Sequence, residues 1–232
     1  MRSALAFLTV VGGHRAPGPT TLRWFPIVGA AIGAAIAGGH AGAHEIWTPL
    51  LAGAVVLALD LALTGALHVD GLLDTADGVL PHLPRERRLA VMADPNVGAF
   101  AAAVLCATVA LRWGALSDPD LPLVTLGLLW ATARTTAAIV PAVVDYARPG
   151  GLASPFLAGA RRLDAAWLVA FAVAAGVVDG PEMVVPVVAA VVAGTGLVAL
   201  ANRRLGGFTG DVLGATIVVS ETVGVVALGA VA

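Results

Sequence analysis

Lysine is absent from this chain, and all 13 basic residues are arginine. With a formal net charge of −2 there is no basic footprint for a nucleic acid, so none is expected as a partner. Charge of either sign is scarce. Only 12% of residues are charged and 59% are hydrophobic, at a mean hydropathy of +0.92. That balance excludes an ordinary soluble domain and points to a polytopic membrane protein. The single cysteine, Cys106, excludes an intrachain disulfide and any CxxC or Cys/His zinc cluster. No repeat, linker or low-complexity segment divides the sequence, which predicts one integral membrane domain over 1–232. Met1 to Val11 carries one arginine and a short apolar run without a small-residue cleavage site, which predicts an interfacial segment rather than a signal peptide. Arginine in place of lysine, with abundant Ala and Gly, reads as compositional bias. The small residues also let helices approach closely.

What is present is apolar sequence in spans. Seven stretches approach the ~20 residues a bilayer crossing needs: 24–43, 49–67, 97–112, 121–141, 165–179, 183–201 and 211–231. They predict an all-α membrane helix bundle of about seven transmembrane helices plus short interfacial helices. The third and fifth stretches are short. The arginines test this topology. With the N-terminus in the cytoplasm, Arg2, Arg15, Arg23, Arg85, Arg87, Arg88, Arg148, Arg161, Arg162, Arg203 and Arg204 all fall in inside segments, and Arg112 lies at the edge of an outside loop. The opposite loops carry Glu45, Asp118, Asp120, Asp179 and Glu182. This positive-inside asymmetry predicts a multi-pass plasma (inner) membrane protein with a cytoplasmic N-terminus.

Against that apolar background, Asp70, Asp74 and Asp77 stand out. On a helix they fall within roughly 60° of arc, on the predicted cytoplasmic side. Three like charges so placed repel one another unless a cation lies between them. Oxygen-only ligands favour Mg2+, with Mn2+ as the alternative. Gly71 and Gly78 clear space beside the acids. His68 reads as a ligand, a phosphate contact or an ordinary interfacial histidine. Thr209-Gly210-Asp211 opens the last span on the same face, either as an N-cap or as a second source of carboxylate for a metal-assisted phosphoryl-transfer centre. Asp60, Asp94, Arg134 and Glu221 sit within spans or at their ends, where a partner or a role is required. Arg134 either grips a substrate phosphate or forms a bridge with Asp60 or Glu221, and Asp60 reads as structural. Pro81 to Leu89 predicts a short surface helix whose arginines meet lipid headgroups. Arg148, in the loop after the fourth span, is a second anion contact.

The block His68-x-Asp70-Gly71-Leu72-x-Asp74-Thr75-x-Asp77-Gly78 resembles the HxDGLxDTxDG block of the cobalamin synthase family. Further matches follow in family order. They are Phe7-Leu8-Thr9, Phe25-Pro26-x-x-Gly29, Met92-x-Asp94 with Gly98, Arg134, and Ala147-Arg148 with Gly151-Leu152. The last is Gly206-Gly207-x-Thr209-Gly210-Asp211-x-Leu213-Gly214-Ala215 with Glu221. The resemblance covers nearly the whole chain. It implies an adenosylcobinamide-GDP ribazoletransferase, in which a ribose hydroxyl of α-ribazole or its 5′-phosphate attacks adenosylcobinamide-GDP and GMP leaves. It implies Mg2+ on Asp70, Asp74, Asp77 and Asp211, and catalysis by Asp74, Asp77 and Arg134, with Asp77 preferred as proton acceptor. It also implies substrate contacts from His68, Arg148, Thr209, Asp94 and Glu221, a site facing the cytoplasm and a membrane-lipid setting that permits a homo-oligomer. The chain departs from the family at Pro95-Asn96, where a Ser and a basic residue are expected, and at Val218, where a second acid is. A CDP-alcohol phosphotransferase of lipid synthesis shares the chemistry, but its Ala-Arg pair after the first Asp-Gly is missing. A secondary transporter would show an inverted repeat and mid-membrane charges, and no repeat is found.

Overall fold

The computed structural model describes residues 1–13, 16–148 and 159–232. Arg15 and the Gly151-Leu152 match lie outside them. The described residues hold ten α-helices: α1 (Arg2–Leu8), α2 (Phe25–Ile46), α3 (Pro49–Thr64), α4 (Leu67–Val79), α5 (Arg85–Val91), α6 (Ala99–Leu116), α7 (Leu123–Ile139), α8 (Ala166–Val178), α9 (Val184–Leu205) and α10 (Gly210–Leu228). The described residues hold no strand, only one isolated parallel bridge between Tyr146 and Phe208.

All seven apolar stretches are helical. Among the described residues, five helical segments, built on α2, α6, α7, α9 and α10, are long and apolar enough to cross a membrane. Two stretches differ from expectation. The second does not run straight, because α3 ends at Gly65 (φ 61°) and Ala66 (φ 56°), and α4 leaves at 92° to it. Two consecutive left-handed residues cannot extend a helix, so the acid-bearing α4 turns off the crossing direction and is not itself a span. The fifth stretch, α8, has 13 residues, or about 20 Å at 1.5 Å per residue, against a hydrocarbon core of ~30 Å.

Close packing follows from small residues. A Cβ on Gly33 of α2 would lie 1.9 Å from the Gly127 carbonyl oxygen of α7, so these helices meet backbone to backbone. The central α7 is buried nearly all round, with Trp130 fully enclosed. Outward faces are apolar: Val169, Val173 and Val177 project from α8 and Val185, Val188 and Val192 from α9.

Charge is drawn inward. Asp60 of α3, Arg112 of α6, Arg134 of α7 and Glu221 of α10 form one buried cluster. Arg112 binds Asp60 at 2.8 Å and Glu221 at 3.3 Å, Arg134 binds Glu221, and the Trp130 indole N–H donates to Asp60 at 2.8 Å. Arg112, assigned to a loop edge on sequence, is therefore a core residue of four knitted helices, lying over the Trp130 ring at 5.5 Å. Two cations and two anions leave the cluster neutral, which burial in hydrocarbon demands.

Candidate active site

The acids gather where α4 crosses the start of α10. Gly71 makes the crossing possible, since a Cβ there would stand 2.7 Å from the Asp211 carbonyl oxygen. Gly214 faces α4 in turn, its missing Cβ 3.3 Å from the His68 Cα. Thr209 caps α10: its hydroxyl accepts from the Val212 N–H at 3.3 Å and donates to Asp211 Oδ2 at 3.1 Å. The N-cap is thus Thr209, and Asp211 is the acid of the first turn, where the helix dipole favours a carboxylate.

The third wall arrives by backbone pairing. The Phe208 N–H donates to the Asp145 carbonyl at 2.9 Å and the Ala147 N–H to the Phe208 carbonyl at 2.8 Å. Gly207 (φ 158°) permits this, because a Cβ there would lie 2.4 Å from the Asp145 oxygen. Tyr146 and Arg148 are thereby fixed beside α10. The short α5 straps the base: Arg88 donates to the Gly78 and Val79 carbonyls at 2.8 and 2.9 Å, and Arg85 to the Leu205 carbonyl at 2.9 Å. Both guanidiniums satisfy carbonyls at helix C-termini, a structural duty the sequence left as headgroup contact.

Two cavities of about 210 Å³ each share Asp70. One is lined by Phe7, Phe25, His68, Tyr146, Arg148 and Asp211 among others. The other is polar and holds Asp74, Asp77, Asp94 and Asn96. Burial, and then the neighbouring Asp211 and Asp70 carboxylates, pushes the Asp74 carboxyl up to about 6, with Arg148 opposing. The helices therefore concentrate negative charge here, as the spacing predicted.

The acids are not equivalent. Asp77 spends both oxygens capping α6, accepting from the Gly98 N–H at 2.6 Å and the Ala101 N–H at 2.9 Å. This geometry gives Asp77 a helix-capping duty in addition to its place on the wall of the polar cavity. Asp94 is not at a span end. It lies exposed between α5 and α6, accepting from the Asn96 N–H at 2.9 Å and the Asn96 side-chain amide at 2.7 Å, which hold its carboxyl below the usual range. Pro95-Asn96, a departure from the family pattern, therefore makes a turn about Asp94. Arg134 and Glu221 line neither cavity and are paired with each other, so the bridge is the alternative realised and a direct phosphate grip by Arg134 is not. Arg148 is the guanidinium on the cavity wall, held by the Leu89 carbonyl at 3.2 Å.

His68 is 5% exposed and neither ring nitrogen has a hydrogen-bond partner. Burial, with the Arg134 guanidinium second, pushes its imidazole down to about 3, so the ring is neutral. An unpaired buried polar group costs about 1–3 kcal/mol, which a bound ligand would recover.

Among the described residues no three His, Cys, Asp or Glu side chains already form a coordination shell. The donor chemistry nonetheless fits a hard divalent cation: carboxylates from two crossing helices, with the Asp74 carboxyl raised by burial first and by its acidic neighbours second.

The family model for cobalamin-5-phosphate synthase matches residues 1–229. The chain belongs to that family. It is 33% identical to the adenosylcobinamide-GDP ribazoletransferase of Chlorobium phaeovibrioides, over 94% of this chain and 90% of that protein. It is 36% identical to the enzyme of that name from Bradyrhizobium diazoefficiens, over 93% and 87%, and 35% identical to that of Chlorobium chlorochromatii, over 91% and 86%. No solved structure matches. Within the family frame, the sequence missed the aromatic wall as a unit. Phe7, Phe25 and Tyr146 are far apart in sequence, and only packing unites them.

Proposed function

We propose that this family member transfers α-ribazole, or its 5′-phosphate, onto adenosylcobinamide-GDP. The ribose 3′-hydroxyl oxygen forms a bond to the phosphorus on the cobinamide arm, the diphosphate bond breaks, and GMP leaves with the bonding electrons. The observation that carries this reading is the junction of α4 and α10, where Asp70, Asp74 and Asp211 meet Arg148 beside two cavities.

Asp74, whose carboxyl is raised by burial and then by the Asp211 and Asp70 carboxylates, would take the hydroxyl proton only where it is not itself holding the cation. Arg148 is placed to hold a phosphate. Asp70, Asp74 and Asp211, with Asp77 behind them, are the residues that would hold Mg2+ or Mn2+. When bound, the cation supplies neutralisation of charge on the diphosphate. Thr209 fixes Asp211. Arg134 and Glu221 act at a distance by holding α7 and α10 together. The arginine distribution supports a site facing the cytoplasm, in the plasma membrane, where nucleotide substrates are available.

The test is direct. Detergent-solubilised protein, incubated with adenosylcobinamide-GDP, α-ribazole 5′-phosphate and Mg2+, releases GMP and forms the cobalamin phosphate. CDP-alcohols offered as donors yield no CMP. A folded protein that releases no GMP overturns the reading.

A further inference from the structure

A further cavity, of about 350 Å³, lies where α7, α8 and α9 come together, away from the acid cluster. Val140, Val143, Leu168 and Val198 line it, and the lining follows α9 from Thr195 to Asn202, two turns or about 10 Å. Val143, Thr195, Ala199 and Asn202 are exposed, so the cavity is a groove open at the surface. Val192, Thr195 and Ala199 stand in one exposed row along α9, three and four residues apart. The groove therefore continues the face that α9 turns to hydrocarbon. We propose that it seats an acyl chain of an anionic phospholipid, whose phosphate is held by Arg162 and Arg203.

The charge at one end of the groove selects the headgroup. Arg203 follows Asn202 and lies one turn beyond Ala199 on the same side of α9. Arg162 stands three residues before Ala165 of the lining, and its Nε donates to the Ala142 carbonyl at 3.2 Å, beside Val143. That bond uses one of its five N–H groups. Both guanidiniums are exposed, and Arg161 and Arg204 adjoin them in sequence. The acids at this end are Asp145, next to Val144 of the lining, and Asp164, whose Oδ2 is buried. Four arginines against two aspartates leave an excess of positive charge, which favours a lipid of net negative charge over a zwitterion. Trp167, the neighbour of Leu168 and 41% exposed, is the residue type that settles where hydrocarbon meets headgroups. An apolar slot ending in arginines and an interfacial tryptophan thus matches a phospholipid along its length. The groove also backs onto the active site. Val143 and Val144 run directly into Asp145 and Ala147, whose backbone pairs with Phe208, so a lipid seated there buttresses the wall that carries Tyr146 and Arg148.

The experiment titrates the delipidated full chain in detergent with phosphatidylglycerol or phosphatidylcholine of identical acyl chains. Retained lipid is read by native mass spectrometry and the melting temperature by thermal shift. Phosphatidylglycerol is expected to be retained more strongly and to raise the melting temperature further. Arg162→Gln with Arg203→Gln is expected to weaken phosphatidylglycerol binding about tenfold or more, the loss of two charges near a headgroup. Ala199→Trp fills the groove from an exposed position and is expected to weaken retention of both lipids. Arg87→Gln, an exposed arginine of α5 outside the groove, is expected to change neither. Equal affinity for the two lipids overturns the proposal, as does phosphatidylglycerol affinity unchanged in the arginine double variant or in Ala199→Trp. A loss as large in Arg87→Gln overturns it too, since the attraction is then diffuse. If Ala199→Trp alters the oligomeric mass and leaves lipid retention intact, the groove belongs to a second copy of the chain and the lipid assignment falls. The charge and filling variants are independent, so failure of one to fold leaves the other to decide.

Discussion

Asp74 and Asp77 stand three residues apart on one helix and meet different surroundings. Asp77 accepts two backbone N–H groups of α6. Asp77→Ala removes that cap and is expected to cost about 1–2 kcal/mol of stability, read as a lower melting temperature in detergent. Asp74 has the opposite sign. Its folded pKa is raised above the usual 3.8 to about 6, so its ionised form opposes folding, increasingly so as pH rises through that window. Asp74→Asn is therefore expected to keep or raise the melting temperature while lowering kcat on the order of 10²-fold or more. Added Mg2+ should stabilise the wild type and stabilise Asp74→Asn less. A folded Asp74→Asn with full transfer activity would refute its role. The common face of the three aspartates was legible because helical periodicity is local. Which of them faces another helix was not, because the partner amides lie 21 and 24 residues away. Arg134 shows the same limit, since its bridge to Glu221 spans 87 residues.

At the scale of elements, the site depends on how α4 leaves α3 and meets α10. Gly65 and Ala66 both have positive φ, and Ala66 does so without a glycine's freedom. Gly65→Ala adds a Cβ 2.9 Å from Val10 in a left-handed conformation, and is expected to destabilise by about 1–2 kcal/mol. Ala66→Gly, which relieves the same kind of strain, should be neutral or stabilising within about 1 kcal/mol. Gly71→Ala tests the crossing itself. With the Asp211 carbonyl oxygen 2.7 Å from the new Cβ, α4 must move off α10. Activity should fall more than thermal stability does, because a small misplacement of reacting groups costs ~10²-fold in rate. A Gly71→Ala enzyme with unchanged kcat would mean that this close approach does not position the acids. The seven helical stretches were visible as hydropathy. The bend was not, because Leu61 through Leu67 carries no charge and no proline, and the turn resides in the dihedrals of Gly65 and Ala66.

The whole molecule places an ionic core inside an apolar bundle, with its acid cluster at one end. Asp60, Arg112, Arg134 and Glu221 come from four different helices, so their pairing selects which helices are neighbours as well as adding energy. Removing one member leaves an uncompensated charge in a membrane interior. Arg112→Met is expected to destabilise by about 3–5 kcal/mol, measured by thermal or denaturant unfolding in detergent. Combining it with Asp60→Leu leaves the neutral Arg134–Glu221 pair. The double variant should then recover most of the loss, a coupling of at least 1 kcal/mol for groups in direct contact. The outcome separates two views of the cluster. If Arg112→Met and the double variant are equally unstable, the four groups act as one unit that tolerates no substitution. If the single variant is as stable as wild type, Glu221 or Asp60 is neutral when buried, and the charge balance that holds α3, α6, α7 and α10 together has been misread.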